Sequence, residues 1–139
     1  MQASVRITRE VCGQILAHAR REAGRECCGL LAGRDGLISV ALPAENSLAS
    51  ATAFEIAPRQ LFELFHRMRA GGWEHLGIYH SHPQGENAPS PRDIEQAYYP
   101  DAAYFIISPA PASPHPVRAF RIRDGVVHEV EIVEGCENP

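Results

Sequence analysis

Residues 76–93 read LGIYHSHPQGENAPSPRD, and the fold and chemistry of the chain are read outward from them. Leu76, Gly77, Ile78 and Tyr79 form a short apolar run ending in His80-Ser81-His82-Pro83. Side chains alternate across a strand, so His80 and His82 share one face. At about 3.3 Å rise per residue their Cα atoms sit about 6–7 Å apart, close enough for two imidazoles to converge on one ion. Pro83 cannot continue a central ladder, so the pair lies at a strand terminus, where loops build pockets.

Ten residues beyond Pro83 stands Asp93, in Ser90-Pro91-Arg92-Asp93. Ser-x-x-acid with proline at the first helical position is a helix N-terminus signature, and Asp93 reads first as part of a cap. A carboxylate in that first turn also reaches toward a metal at the mouth of the strand. The expectation is that it cannot fully serve as cap and ligand at once. His80, His82 and Asp93 together leave the fourth position of a zinc ion open, as in catalytic rather than structural sites. Non-haem iron accepts the same ligand set.

The flanking sequence supplies a mixed α/β frame. A strand is expected over 4–7, then a helix over 9–22 capped by Thr8. CCGLLA (27–32) suits a buried strand, and Gly33-Arg34-Asp35-Gly36 turns it into a second strand over 37–42. Residues 43–53 read as a loop with a short strand near 53–56. Pro58 opens a helix whose Leu61, Phe62, Leu64, Phe65 and Met68 follow a 3.6-residue period until Gly71-Gly72. Strands are expected over 75–82 and 103–108, with a helix over 91–98 between them. Asp124-Gly125 turns a last hairpin, on which His128 shares an apolar face with Val126, Val130 and Ile132 and reads as a hydrogen-bonded core residue. The sum is one domain over residues 1–139, a mixed β-sheet flanked by about three helices.

The 139 residues are 45% hydrophobic and 22% charged, with a formal net charge of −4. No basic run points to nucleic acid. No segment has the length of a membrane span and the N-terminus lacks a signal-peptide core, so a cytoplasmic protein is expected. In that compartment Cys12, Cys27, Cys28 and Cys136 are expected as free thiols.

The joined elements resemble the JAMM/MPN+ metalloprotease family. Its pattern is H-x-H-P, six residues, then S-x-x-D, and residues 80–93 fit it without a gap. A glutamate preceding C-G-x-L-x-G is matched by Glu26 ahead of Cys28-Gly29-Leu30-Leu31-Ala32-Gly33, and Asn46, Phe54 and Pro58 resemble the intervening segment of the short bacterial branch. The resemblance implies a cytidine-deaminase-like α/β core and a zinc (iso)peptidase. His80, His82 and Asp93 would hold Zn2+, Glu26 would act as general base, and Ser90 would stabilise the oxyanion. By itself Glu26 reads as a solvated charge at a strand entrance, so that role rests on the resemblance. The resemblance also implies a partner, a ubiquitin-like or sulfur-carrier protein ending in Gly-Gly. A general ubiquitin-like isopeptidase, a non-catalytic MPN scaffold and an iron enzyme stand as the alternatives, and the oligomeric state is left open.

Overall fold

The computed structural model describes residues 4–134. Seven strands and three helices follow in the order β1 (Ser4–Ile7), α1 (Arg9–Arg21), β2 (Cys28–Arg34), β3 (Leu37–Ala44), α2 (Pro58–Gly71), β4 (Glu74–Ser81), α3 (Pro91–Glu95), β5 (Ala103–Ile107), β6 (Val117–Arg123) and β7 (Val126–Val133). The strands run β1-β3-β2-β4-β5-β6-β7 and close into a barrel, because β1 pairs in parallel with both β3 and β7. At the centre, β4 lies antiparallel to β2 and parallel to β5.

Local chemistry accounts for the boundaries. The Thr8 hydroxyl accepts the Val11 amide and starts α1. Asp35-Gly36 and Asp124-Gly125 both take positive φ, the backbone that a two-residue hairpin turn requires. Gly72, at φ 71, ends α2. The Arg34 guanidinium donates to the carbonyls of Gly71 and Gly72, which the finished helix leaves open.

Alternation divides the core in two. Cys27, Leu31, Tyr79, Phe105 and Ile107 face α1, in a cluster with Val11, Ile15 and Ala19. Cys28, Leu30, Ile78, Tyr104 and Ile106 face α2, in a cluster with Leu64 and Met68. Central strands covered on both faces explain why β2, β4 and β5 are nearly continuous apolar runs.

Four expectations are corrected, the last in part. Residues 53–56 form no strand: the Ala53 carbonyl and the Glu55 backbone bond to Asn46 and Ser47 rather than to a neighbouring strand. The helix after Ser90 stops at Glu95 rather than 98, and the Tyr99 amide instead donates to the Tyr104 hydroxyl. His128 is exposed, since only Val130 on that face of β7 is buried and the turn-end residue Val126 is 52% exposed. The expectation of free thiols holds for Cys27 and Cys28, while Cys12 is disulfide-bonded and Cys136 lies outside the described residues.

Packing is close under the centre of the sheet. A Cβ on Gly29 would stand 2.4 Å from Tyr79 Cε1. Tyr79 cannot swing away, because it is fully buried and its hydroxyl hydrogen-bonds His18 Nδ1 at 2.7 Å. Gly29→Ala is expected to cost about 1–3 kcal/mol or more of stability, read as a lowered urea midpoint with an unchanged slope.

Candidate metal centre

β4 is held between β2 and β5 in the register Cys28–His80–Ile106. The His82 amide continues the ladder by donating to the Ile107 carbonyl at 2.9 Å, and the chain then leaves the sheet. His80 and His82 thus stand at the strand's end, both buried. The following loop is pinned by Asn87, whose Nδ2 donates to the carbonyls of Ile106 and His115. The turn brings the Glu86 carbonyl back to accept from His82 Nδ1 at 2.8 Å. A carbonyl only accepts, so Nδ1 carries a proton. In the neutral ring the lone pair is therefore on Nε2, which points inward.

α3 delivers the third group. The Ser90 hydroxyl accepts the Asp93 amide at 3.1 Å, and Asp93 Oδ2 accepts the Ser90 amide at 2.9 Å. That same oxygen lies 3.2 Å from His80 Nε2 and 3.0 Å from His82 Nε2, with the two nitrogens 3.1 Å apart. The expectation that Asp93 must choose between cap and centre is overturned for its geometry, since one oxygen faces both the cap and the histidines.

Three ligand-type atoms in a triangle with edges of 3.0–3.2 Å meet the size test for a small cation. Tetrahedral zinc with bonds near 2.0–2.1 Å separates its ligands by about 3.3 Å. The chemistry fits as well, because protons on these atoms cannot satisfy all three edges: if both nitrogens donate to Asp93, they oppose one another. Hydrogen bonding from His80, His82 and the Ser90 amide outweighs burial and holds the Asp93 carboxyl well below the usual carboxylate range. Burial pushes His80 down. Burial also opposes protonation of His82, but Asp93 and the Glu86 carbonyl raise it on balance. Among the described residues, His80 Nδ1 has no hydrogen-bond partner. Its ring is held by its face instead, stacked on Phe54 with centroids 4.6 Å apart.

Glu26 stands at the entry to β2. It is buried at 4% exposure, against the reading of a solvated charge, and its Oε1 has no partner. Burial pushes its carboxyl up to about 7, with His82 drawing it down and Asp93 pushing it further up. Its backbone is clamped on both sides: its amide donates to the Ser50 carbonyl at 2.8 Å, and its carbonyl accepts from Asn46 Nδ2 at 3.0 Å. Asn46 is the residue whose part the sequence did not disclose. Its amide group also donates to the Ala53 carbonyl, and its oxygen accepts the amides of Leu48 and Glu55. One buried side chain thereby fixes both Glu26 and the loop that sets Phe54 on His80. An asparagine in a loop with few apolar neighbours offers no periodic signal that would have marked it.

Fold and centre together define a peptidase of the JAMM type. A family profile described as prokaryotic homologs of the JAB domain matches residues 8–123, and the chain belongs to that family. It is 33% identical over 132 residues to the CysO-cysteine peptidase of Mycobacterium tuberculosis, covering 92% of this chain and 90% of that one. A desampylase of Haloferax volcanii is 35% identical over 102 residues, covering 68% and 73% of the two chains. The solution structure of protein DSY2949 from Desulfitobacterium hafniense superposes with a TM-score of 0.81 at 35% identity, over 96% of this chain and 94% of that one.

Two predictions test the electrostatics. Glu26 binds its proton more readily folded than unfolded, so in metal-free protein it lowers stability progressively as pH rises from about 4.5 to about 7. Metal-free Glu26→Gln should therefore be more stable than wild type above pH 7, by up to about 3 kcal/mol, and equal to it near pH 4; chemical denaturation at both pH values reads the difference. Cys27 and Cys28 lie on opposite faces of the sheet, and burial pushes their thiols up to about 11 and 12. Alkylation at pH 8 followed by peptide mass spectrometry should find both unlabelled in native protein and both labelled in urea.

Proposed function

We propose that the chain is a zinc-dependent peptidase that hydrolyses the amide bond joining an amino acid or a second protein to the C-terminus of a ubiquitin-like sulfur-carrier protein. The observation that carries this reading is the triangle of His80, His82 and Asp93 beside a buried, unpartnered carboxyl whose pKa stands at about 7. The names of the two peptidase relatives support the substrate class.

His80 and His82 Nε2 and Asp93 Oδ2 would hold the ion. Bound there, zinc supplies Lewis acidity, making water a nucleophile near neutral pH and polarising a carbonyl. Glu26 accepts the proton of the attacking water and returns it to the leaving amine, and a carboxyl near pH 7 serves both steps. The Ser90 hydroxyl accepts from the Asp93 amide, so its own O–H hydrogen is left to donate to the developing oxyanion.

The backbone of residues 53–56 supports an extended substrate. The Ala53 carbonyl and both backbone groups of Glu55 are engaged by Asn46 and Ser47. Among the described residues, no hydrogen bond engages the backbone of Phe54 or Ile56. That unengaged backbone is an edge beside His80, on whose ring Phe54 stacks. A flexible tail ending in Gly-Gly is narrow enough to lie along it by strand addition.

Purified protein is expected to carry about one zinc per chain, measured by elemental analysis. His82→Ala should lose both zinc and turnover of a carrier bearing a C-terminal extension. Glu26→Gln should keep the metal and lose at least about 100-fold in turnover. Full activity of Glu26→Gln would overturn the assignment of the base, and equal cleavage of unrelated unfolded peptides would overturn that of the substrate.

A further inference from the structure

Ser81 stands between the two histidines and is fully buried, yet the chemistry above makes no use of it. Alternation along β4 sets it on the opposite face from His80 and His82, the apolar face that carries Tyr79 and packs toward α1. A hydroxyl without a partner is costly in such a place. Its oxygen accepts the Cys27 amide at 2.8 Å.

That bond stands where a ladder bond belongs. The register Cys28–His80 sets Cys27 opposite Ser81, and a closed antiparallel pair exchanges two backbone bonds. One of them is regular: the Ser81 amide donates to the Cys27 carbonyl at 3.1 Å. In the other, the Ser81 side chain takes the place of its carbonyl. β4 ends at this residue, with the His82 amide already turned to the Ile107 carbonyl of β5, and the hydroxyl completes the last pair with β2.

The amide so held belongs to the peptide group that joins Glu26 to Cys27. The carbonyl of the same group accepts from Asn46 Nδ2 at 3.0 Å. A peptide group is planar, so bonds at its two ends fix its orientation. The Glu26 amide is held as well, by the Ser50 carbonyl. Glu26 Oε1 has no partner among the described residues, so the carboxyl is aimed largely by this backbone. Asn46 and Ser50 tie it to the loop after β3, whereas Ser81 ties it to the strand that carries the histidines.

We propose that Ser81 is a positioning residue for the proton-transfer step: its hydroxyl locks the Glu26–Cys27 peptide group, and through it the Glu26 carboxyl, in register with His80 and His82. The assignment rests on the reading of Glu26 as the general base.

Ser81→Ala removes the acceptor, and Ser81→Cys fills nearly the same space with a weak one, so a loss shared by both does not come from a cavity. In metal-free protein, hydrogen exchange followed by NMR should find the Cys27 amide exchanging about tenfold or more faster in both variants, with the amides of Leu30 and Ile78 unchanged. With zinc bound, both variants should release a C-terminal extension from a carrier with kcat lowered by about 10- to 100-fold, at the zinc content and KM of wild type. In a Glu26→Gln background, Ser81→Ala should lower kcat no further, because a residue that acts through Glu26 has nothing left to position. Unchanged exchange at Cys27, wild-type kcat in both variants, loss of zinc from both, or the same fold-loss in the Glu26→Gln background would overturn the positioning role while leaving the peptidase reading intact. Failure of zinc-loaded wild type to cleave any carrier would overturn both.

Discussion

One carboxylate oxygen ties the site to the fold. Asp93 Oδ2 accepts the Ser90 amide and so belongs to the cap of α3, yet it also stands within 3.2 Å of both histidine nitrogens. A short helix of this kind has little stability of its own, so the residues that begin it are held largely by this arrangement. The dependence runs in both directions. The histidines are rigid because β4 is paired on both sides, and α3 stays in place because its capping residue is bound to them. Ser90 shares the arrangement, with its hydroxyl oxygen accepting the Asp93 amide.

The opposite wall is built around Asn46 rather than around regular structure. A loop between β3 and α2 could hold its backbone groups by joining the sheet as another strand. Instead a buried amide side chain takes one side of the segment and leaves the other open. The energetic consequence is a segment pinned at one edge with its Phe54 side chain over His80. The consequence is an edge with unengaged backbone groups at Phe54 and Ile56 next to the centre.

Glu26 shows the cost that such a centre carries. A buried carboxyl with no partner among the described residues is unfavourable when ionised, and the attraction of His82 offsets burial only in part. Its backbone is clamped by Ser50 and Asn46 while its side chain is left unsatisfied, the division expected under the proposed role of general base. The neighbouring Cys27 and Cys28 offer the contrast. They are equally buried but point into the two halves of the core, and their raised thiols are inert packing.

Much was legible in the sequence because the signals were local. The period-two pair His80 and His82, the cap signature Ser90 to Asp93, the Asp-Gly turns and the apolar runs of β2, β4 and β5 each depend on residues a few positions apart, whose geometry the backbone dictates. Glu26 was recoverable only through its motif, since a charge at a strand entrance looks solvated until α3 and the 45–57 loop close over it. The barrel closure, the exposure of His128 and the missing strand at 53–56 were not legible at all, and Asn46 was marked only by its motif position, without its five side-chain hydrogen bonds. Each depends on which distant segment lies alongside, and no local pattern encodes that choice. The sequence by itself determined the ligand types, their spacing and the α/β frame. Only the tertiary structure decided that the three donor atoms meet at 3.0–3.2 Å and that a lone carboxyl is buried beside them, because burial and convergence follow from packing between elements far apart in the chain.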